Sequence, residues 1–228
     1  MEAIILAGGF GTRLRQLVSD LPKPMAPIAG RPFLEILLTS LASKGFKRVI
    51  LSVGYMSDKI SNYFGRSFDG VELLYAIEDE PLGTGGGVRQ SMDMLINDHV
   101  FVFNGDTFLD VEVKMLEKCW HARKRPIIIG RQVSNTSRYG RLLEFEGIAT
   151  GFDEKGIAGP GLINAGCYVL QKGQLDRFPL RHAFSLETDF LASAVSQGEF
   201  DVFITKGLFI DIGVPEDFLL AQTELANY

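Results

Sequence analysis

Apolar positions along this chain follow two rhythms, and the change between them falls near its middle. In the first half, short β-rich runs alternate with stretches whose apolar residues repeat at helical spacing. Residues 3–6 read as a buried strand ending in the turn Gly8-Gly9-Phe10-Gly11. From 32 to 44, Phe33, Leu34, Leu37, Leu38 and Leu41 share one helical side, Pro32 suits the first turn, and Gly45 is the stop. Residues 49–53 form a second strand, and Ser57 is placed to cap a short helix that turns Ile60, Tyr63 and Phe64 inward. Strands are expected at 71–77, 100–103 and 127–130, with helices near 86–95 and 113–122. Strands alternating with helices predict parallel pairing through helical crossovers, hence a doubly wound α/β sheet.

The second half is strand-like at 142–145, 148–152, 163–170 and 202–204, with Gly, Asn and Pro between the runs. These are expected to add a small antiparallel lobe to the sheet. The predicted class is therefore α/β: a Rossmann-like, doubly wound, mostly parallel mixed sheet with a small antiparallel lobe. No linker or repeat divides the 228 residues, so residues 1–228 read as one domain.

Composition narrows the functional classes. A formal charge of -5 argues against a general nucleic-acid binder, which would be basic. An acidic chain that binds phosphates must concentrate its cations locally. Cys119 and Cys167 form no metal-type pair, and His99, His121 and His182 share no ligand spacing, so neither zinc nor a disulfide framework is expected. Apolar runs are too short for a membrane span, and the expected location is the cytoplasm. Trp120 lies in an amphipathic stretch and reads as packing.

Several short patterns carry chemistry. Leu6-Ala7-Gly8-Gly9-Phe10-Gly11-Thr12-Arg13, with Pro22-Lys23-Pro24 downstream, follows the first strand. Glycines there let backbone N–H groups reach phosphate oxygens, and Arg13 and Lys23 supply charge. It is neither the dinucleotide-binding glycine pattern nor a P-loop. Glu80-Pro81-Leu82-Gly83-Thr84-Gly85-Gly86-Gly87 places three adjacent glycines at a helix start, a side-chain-free wall against which a planar ring could lie. Residues 100–103 lead into Asn104-Gly105-Asp106, a carboxylate at a strand's carboxyl end, where α/β sheets bind ligands.

This combination resembles the signature of the sugar-1-phosphate nucleotidyltransferases, or nucleotide-sugar pyrophosphorylases, and the resemblance runs over roughly residues 3–218. By that resemblance Leu6, Ala7, Gly8, Gly9, Gly11, Thr12, Leu82, Gly83, Thr84, Gly85, Asn104 and Gly105 would bind a nucleotide, with Arg13, Lys23 and Asp106 catalytic. Mg²⁺ would be the cofactor, held by Asp106 and by Asp211 of Phe209-Ile210-Asp211-Ile212-Gly213-Val214-Pro215-Glu216. Phe152-Asp153-Glu154-Lys155-Gly156, Ile163-Asn164-Ala165-Gly166-Cys167-Tyr168, Tyr139-Gly140 and Ser185-Leu186-Glu187 resemble elements that line the family's sugar pocket. Tyr139, Gly140, Glu154, Lys155, Asn164 and Glu187 are then the sugar-phosphate residues. The chain departs from the family pattern at Gly156, where a Pro is usual, and at Val214, where a Thr is usual.

The implied reaction is attack by a sugar 1-phosphate oxygen on the α-phosphorus of a nucleoside triphosphate, with release of pyrophosphate. The Pro-Lys-Pro-Met-Ala-Pro-Ile run and the Glu-Pro-Leu-Gly-Thr-Gly-Gly run look most like the branch that transfers GMP from GTP to D-glycero-D-manno-heptose 1-phosphate. Three alternatives stand beside it: a uridylyltransferase for an amino-sugar or muramic-type 1-phosphate, an inactive nucleotide-sugar-binding regulatory subunit, and a retaining glycosyltransferase. The last would normally show Asp-x-Asp, of which Asn104-Gly105-Asp106 is half. Expected partners are GTP and a sugar 1-phosphate, with no nucleic acid and no membrane, for a chain acting alone or as a homodimer.

Overall fold

The structure is a computed structural model that describes residues 1–9, 21–153 and 156–228. Phe10, Gly11, Thr12, Arg13, Glu154 and Lys155 lie outside the described residues. The chain begins with strand β1 (Glu2–Leu6), whose side chains alternate between two apolar layers. Ala3 and Ile5 enter one layer and Ile4 the other, all three fully buried. A strand so buried on both faces belongs at the centre of a sheet covered on both sides.

After a 3-10 turn (Lys23–Met25) and the small pair β2 (Pro27–Ile28) and β3 (Arg31–Pro32) comes helix α1 (Phe33–Ser43). β4 (Arg48–Val53), α2 (Ser57–Phe64), β5 (Ser67–Phe68), β6 (Val71–Ile77), α3 (Gly83–Met92) and β7 (His99–Asn104) continue the alternation. Next are β8 (Thr107–Leu109), α4 (Val113–Arg123) and β9 (Ile127–Val133). The second half supplies β10 (Leu142–Phe145), β11 (Ile148–Phe152), β12 (Gly161–Gln171), a π-helical turn (Leu186–Leu191), α5 (Ala192–Ser196), β13 (Asp201–Thr205), β14 (Phe209–Asp211) and α6 (Pro215–Glu224).

Among the described residues ten strands form one sheet, in the order β10-β11-β13-β9-β12-β7-β1-β4-β6-β5. The segment β7-β1-β4-β6 is parallel, as the helical crossovers predict. β12 joins it antiparallel to β7, and β10 and β11 form the far antiparallel edge. The expected antiparallel strands are thus continuous with the main sheet. Helices α1, α2, α4 and α6 bury Leu38, Ile60, Leu116 and Phe218 on one face; α3 and the π-helical turn bury Val88 and Phe190 on the other. Trp120 packs in the first layer, stacked on His99 with ring centroids 4.9 Å apart. Cys167 is buried in the same layer, which pushes its thiol pKa up and leaves it no nucleophilic role.

Two local expectations are corrected. Ser57 does not cap α2; Met56 precedes the helix in a left-handed conformation, and Tyr63 points outward, its hydroxyl donating to Glu35 at 2.8 Å. Helix α3 begins at Gly83, ahead of the expected start at 86. Among the described residues, no helix is long and apolar enough to cross a membrane.

Candidate active site

The carboxyl ends of β1, β4, β6 and β7 open on a cavity of about 290 Å³. Its walls include Leu6 at the end of β1 with Gly8 and Gly9 beyond it, Ser52 on β4, Glu78 after β6, Gly83 and Thr84 on α3, and Asn104 at the end of β7 with Gly105 and Asp106 beyond it. The turn after β1 is pinned on both sides: Ala7 N–H donates to Ser52 O at 2.8 Å, and Gly105 N–H donates to Leu6 O at 3.0 Å. A Cβ on Gly105 would lie 2.3 Å from Leu6 O, so only glycine allows this approach. Ala7 itself is buried and holds the turn in place.

The glycines of the second motif serve a different purpose from the flat wall expected of them. A Cβ on Gly85 would fall 2.2 Å from the Phe184 ring, one on Gly86 2.7 Å from His182 O, and one on Gly87 2.6 Å from Ser52 Oγ. All three are buried, and their lack of side chains lets neighbouring segments close on α3. Leu82 is also buried, with both backbone groups engaged: its N–H donates to Glu78 Oε2 at 2.9 Å and its carbonyl accepts from Phe184 N–H at 3.0 Å. Gly85 N–H donates to Phe184 O. Of Leu82, Gly83, Thr84 and Gly85, expected to bind the nucleotide here, Gly83 and Thr84 line the cavity.

A second cavity, of about 610 Å³, lies across Asn104 from the first. Tyr139, Gly140, Asn164, Glu187 and Asp211, all singled out from sequence, line it, together with Arg138 and Phe209. Asn104 belongs to both cavities, and its Oδ1 is buried without a hydrogen-bond partner among the described residues. Opposite it, β12 breaks register between Asn164 and Tyr168, with Gly166 at φ +68. A Cβ there would lie 2.5 Å from Asn104 Nδ2, so this bulge must be glycine. The bulge turns Asn164 into the cavity, where its amide donates to the Tyr168 hydroxyl at 2.8 Å. Tyr139 packs edge-on against Phe209, and burial pushes its phenol up to about 12.

Asp106 and Asp211 meet at the junction. β14 pairs antiparallel with β8, opposing Asp211 to Thr107, and Ile212 N–H donates to Asp106 O at 2.9 Å. Strand pairing thus joins residues 105 apart in sequence. Burial raises the Asp211 carboxyl pKa, and the Asp106 charge adds to it, while the Gly213 N–H and Lys23 act against the rise. Lys23 Nζ lies 2.5 Å from Asp106 Oδ2. Lys23 lines the first cavity with its side chain largely buried and its ammonium on Asp106.

Ser52, Glu78 and Arg138 escaped the sequence reading. Ser52 and Glu78 sit at the ends of β4 and β6, where the strand-end rule points, but no glycine motif marks them. Arg138 lines the second cavity and is held by Asp217 at 2.6 Å.

The nucleotidyl transferase family model matches residues 2–228. The chain belongs to the nucleotidyl transferase family. This nucleotidyl transferase is 41% identical to a D-glycero-alpha-D-manno-heptose 1-phosphate guanylyltransferase of Aneurinibacillus thermoaerophilus, over 100% of both chains. It is 40% identical to the enzyme of the same name from Campylobacter jejuni, over 96% of this chain and 97% of that one. Its fold matches the crystal structure of HddC from Yersinia pseudotuberculosis complexed with GMP-PN at TM-score 0.87 and 37% identity, covering 97% of each chain.

Proposed function

We propose that this nucleotidyl transferase moves GMP from GTP to D-glycero-α-D-manno-heptose 1-phosphate. The observation that carries the reading is the pair of cavities meeting at Asn104 with Asp106 and Asp211 at the junction. The smaller cavity, floored by the β1 turn, takes the nucleotide; the larger takes the sugar. A phosphate oxygen of the sugar 1-phosphate bonds to the α-phosphorus, the bond from that phosphorus to the bridging oxygen breaks, and pyrophosphate leaves with its electron pair. No protein nucleophile is required. Holding two anions together in line is the main task, and positioning with charge neutralisation accomplishes it. Full-length identity to two relatives that bear the guanylyltransferase name supports GTP and the heptose phosphate over the uridylyl alternative.

The donor set fits Mg²⁺. Two neighbouring carboxylates, one with its pKa raised by burial and by the other's charge, form a site short of positive charge. Mg²⁺ is commonly held by one or two carboxylates, with water and substrate phosphates completing its shell. Asp106 and Asp211 would hold it, and bound there it would neutralise charge on the reacting phosphates. Lys23 steadies Asp106, and Arg138 offers positive charge to the sugar phosphate. Retention of this arrangement speaks against an inactive regulatory subunit.

The test follows pyrophosphate release with GTP, UTP, ATP or CTP and a panel of sugar 1-phosphates, with and without chelator. GTP with the heptose phosphate is expected to give the highest kcat/KM, lost on chelation and restored by Mg²⁺. A kcat/KM for UTP equal to or above that for GTP would overturn the guanylyl reading.

A further inference from the structure

The wall between the two cavities carries a direct side-chain link. Thr84 lines the first cavity and Glu187 the second, and Thr84 Oγ1 donates to Glu187 Oε2 at 2.8 Å. The same Thr84 oxygen accepts from Leu186 N–H at 2.9 Å. Ser185 Oγ donates to the same Glu187 oxygen at 3.1 Å, so two hydroxyls orient one carboxylate. Around this link the backbones are zipped: Phe184 N–H donates to Leu82 O and Gly85 N–H donates to Phe184 O, each at 3.0 Å. Gly83 makes that approach possible, since a Cβ there would lie 2.6 Å from Phe184 O.

We propose that Thr84 is a positioning residue that couples the two substrate sites, its hydroxyl fixing Glu187 on the sugar side while its backbone belongs to the nucleotide wall. The inference rests on the assignment of nucleotide and sugar to these cavities. Glu187 stands in a π-helical turn, a geometry common at functional sites, and the side chain that sets its carboxylate comes from α3. A nucleotide that presses on Gly83 and Thr84 fixes the start of α3, and with it the carboxylate meeting the sugar. Coupling of this kind is reciprocal, so a bound sugar phosphate tightens the nucleotide by the same factor. Thr84 touches no reacting atom in this scheme; it acts through Glu187.

The experiment measures, by calorimetry on the full chain in Mg²⁺ buffer, the Kd of D-glycero-α-D-manno-heptose 1-phosphate with and without saturating α,β-methylene GTP. The ratio of the two Kd values is the coupling factor. Thr84→Val is expected to lower that factor by about tenfold, within the usual range of site–site coupling, and Thr84→Ser to retain it. Thr84→Ala carries the same test if Thr84→Val does not fold. An unchanged factor in the folded variant overturns the proposal, because a merely structural threonine would alter both Kd values together. Failure of wild type to bind the analogue at all overturns the cavity assignment itself.

Discussion

Asp211 occupies a costly position for a carboxylate, partly buried and beside the charge of Asp106, with Lys23 joined to Asp106. Such an arrangement stores repulsion that a cation relieves. Asp211→Asn keeps the acceptor for Gly213 N–H, now 2.7 Å from Asp211 Oδ1, and removes one of the two charges. Its thermal midpoint without added Mg²⁺ is therefore expected to rise near pH 7, while turnover falls by about 10²-fold or more, the scale seen when one preorganised charge-stabilising group is lost. An unchanged turnover would end the metal assignment; a lowered midpoint would show that Asp211 is bound into the fold by more than the Gly213 contact. At this scale the sequence was informative where a motif ended a strand: Asn104, Gly105 and Asp106 all line the expected cavity. It was silent on Ser52, Glu78 and Arg138, whose importance comes from where the sheet brings them. It also could not show that Lys23 would be buried against Asp106, since their contact spans 83 residues.

Elements were legible where their apolar rhythm was strong. α1, β4 and β7 lie close to where periodicity places them, because a helix face or a doubly buried strand imprints its own spacing. The glycine-rich start of α3 was misjudged, because glycines announce the absence of side chains without telling what fills the space. Here the filling is the segment around Phe184, and that assigns each glycine a cost. Gly85→Ala would drive a methyl into the Phe184 ring, 2.2 Å away, whereas a Cβ on Gly9 meets nothing within 4 Å among the described residues. Gly85→Ala is expected to destabilise by about 1–3 kcal/mol, as overpacked sites usually do, and Gly9→Ala by far less. Urea unfolding of the two variants checks this. Equal midpoints would mean that Phe184 swings aside freely, and the close packing of α3 against residues 182–186 would lose its structural meaning.

On the scale of the whole molecule, the active cavities sit at one end of the parallel strands, and the opposite end must be tied down independently. Glu2, at the start of β1 and 2% exposed, does this. Its carboxylate accepts from Arg48 Nη1 at 2.8 Å and from the backbone N–H groups of Asn97 and Ile96, joining β1, β4 and the approach to β7. Burial pushes the Glu2 pKa up, but the Arg48 hydrogen bond and charge, with the two backbone donors, outweigh it, and the net position is below the ordinary 4.5. A carboxyl whose folded pKa is depressed contributes stability above its unfolded pKa and loses it as pH falls through the folded value. Glu2→Gln keeps an acceptor oxygen but gives up the charge, so it is expected to lose about 1–3 kcal/mol at pH 7, the scale of hydrogen bonds to a charged group. Below pH 4.5 the difference between wild type and variant should shrink, first because Glu2 of the unfolded chain takes up a proton, and it is lost once pH passes below the depressed folded value. Other carboxylates titrate in both proteins alike and cancel in the comparison, so the pH profile of the difference isolates Glu2. A difference that stays constant from pH 7 to pH 3 would show that shape holds this end of the sheet, and that the charge contributes nothing. Because the tie lies at the opposite end of β1 from the turn at Gly8 and Gly9, kcat/KM of the folded variant is expected to stay within about twofold of wild type, as for distant independent sites.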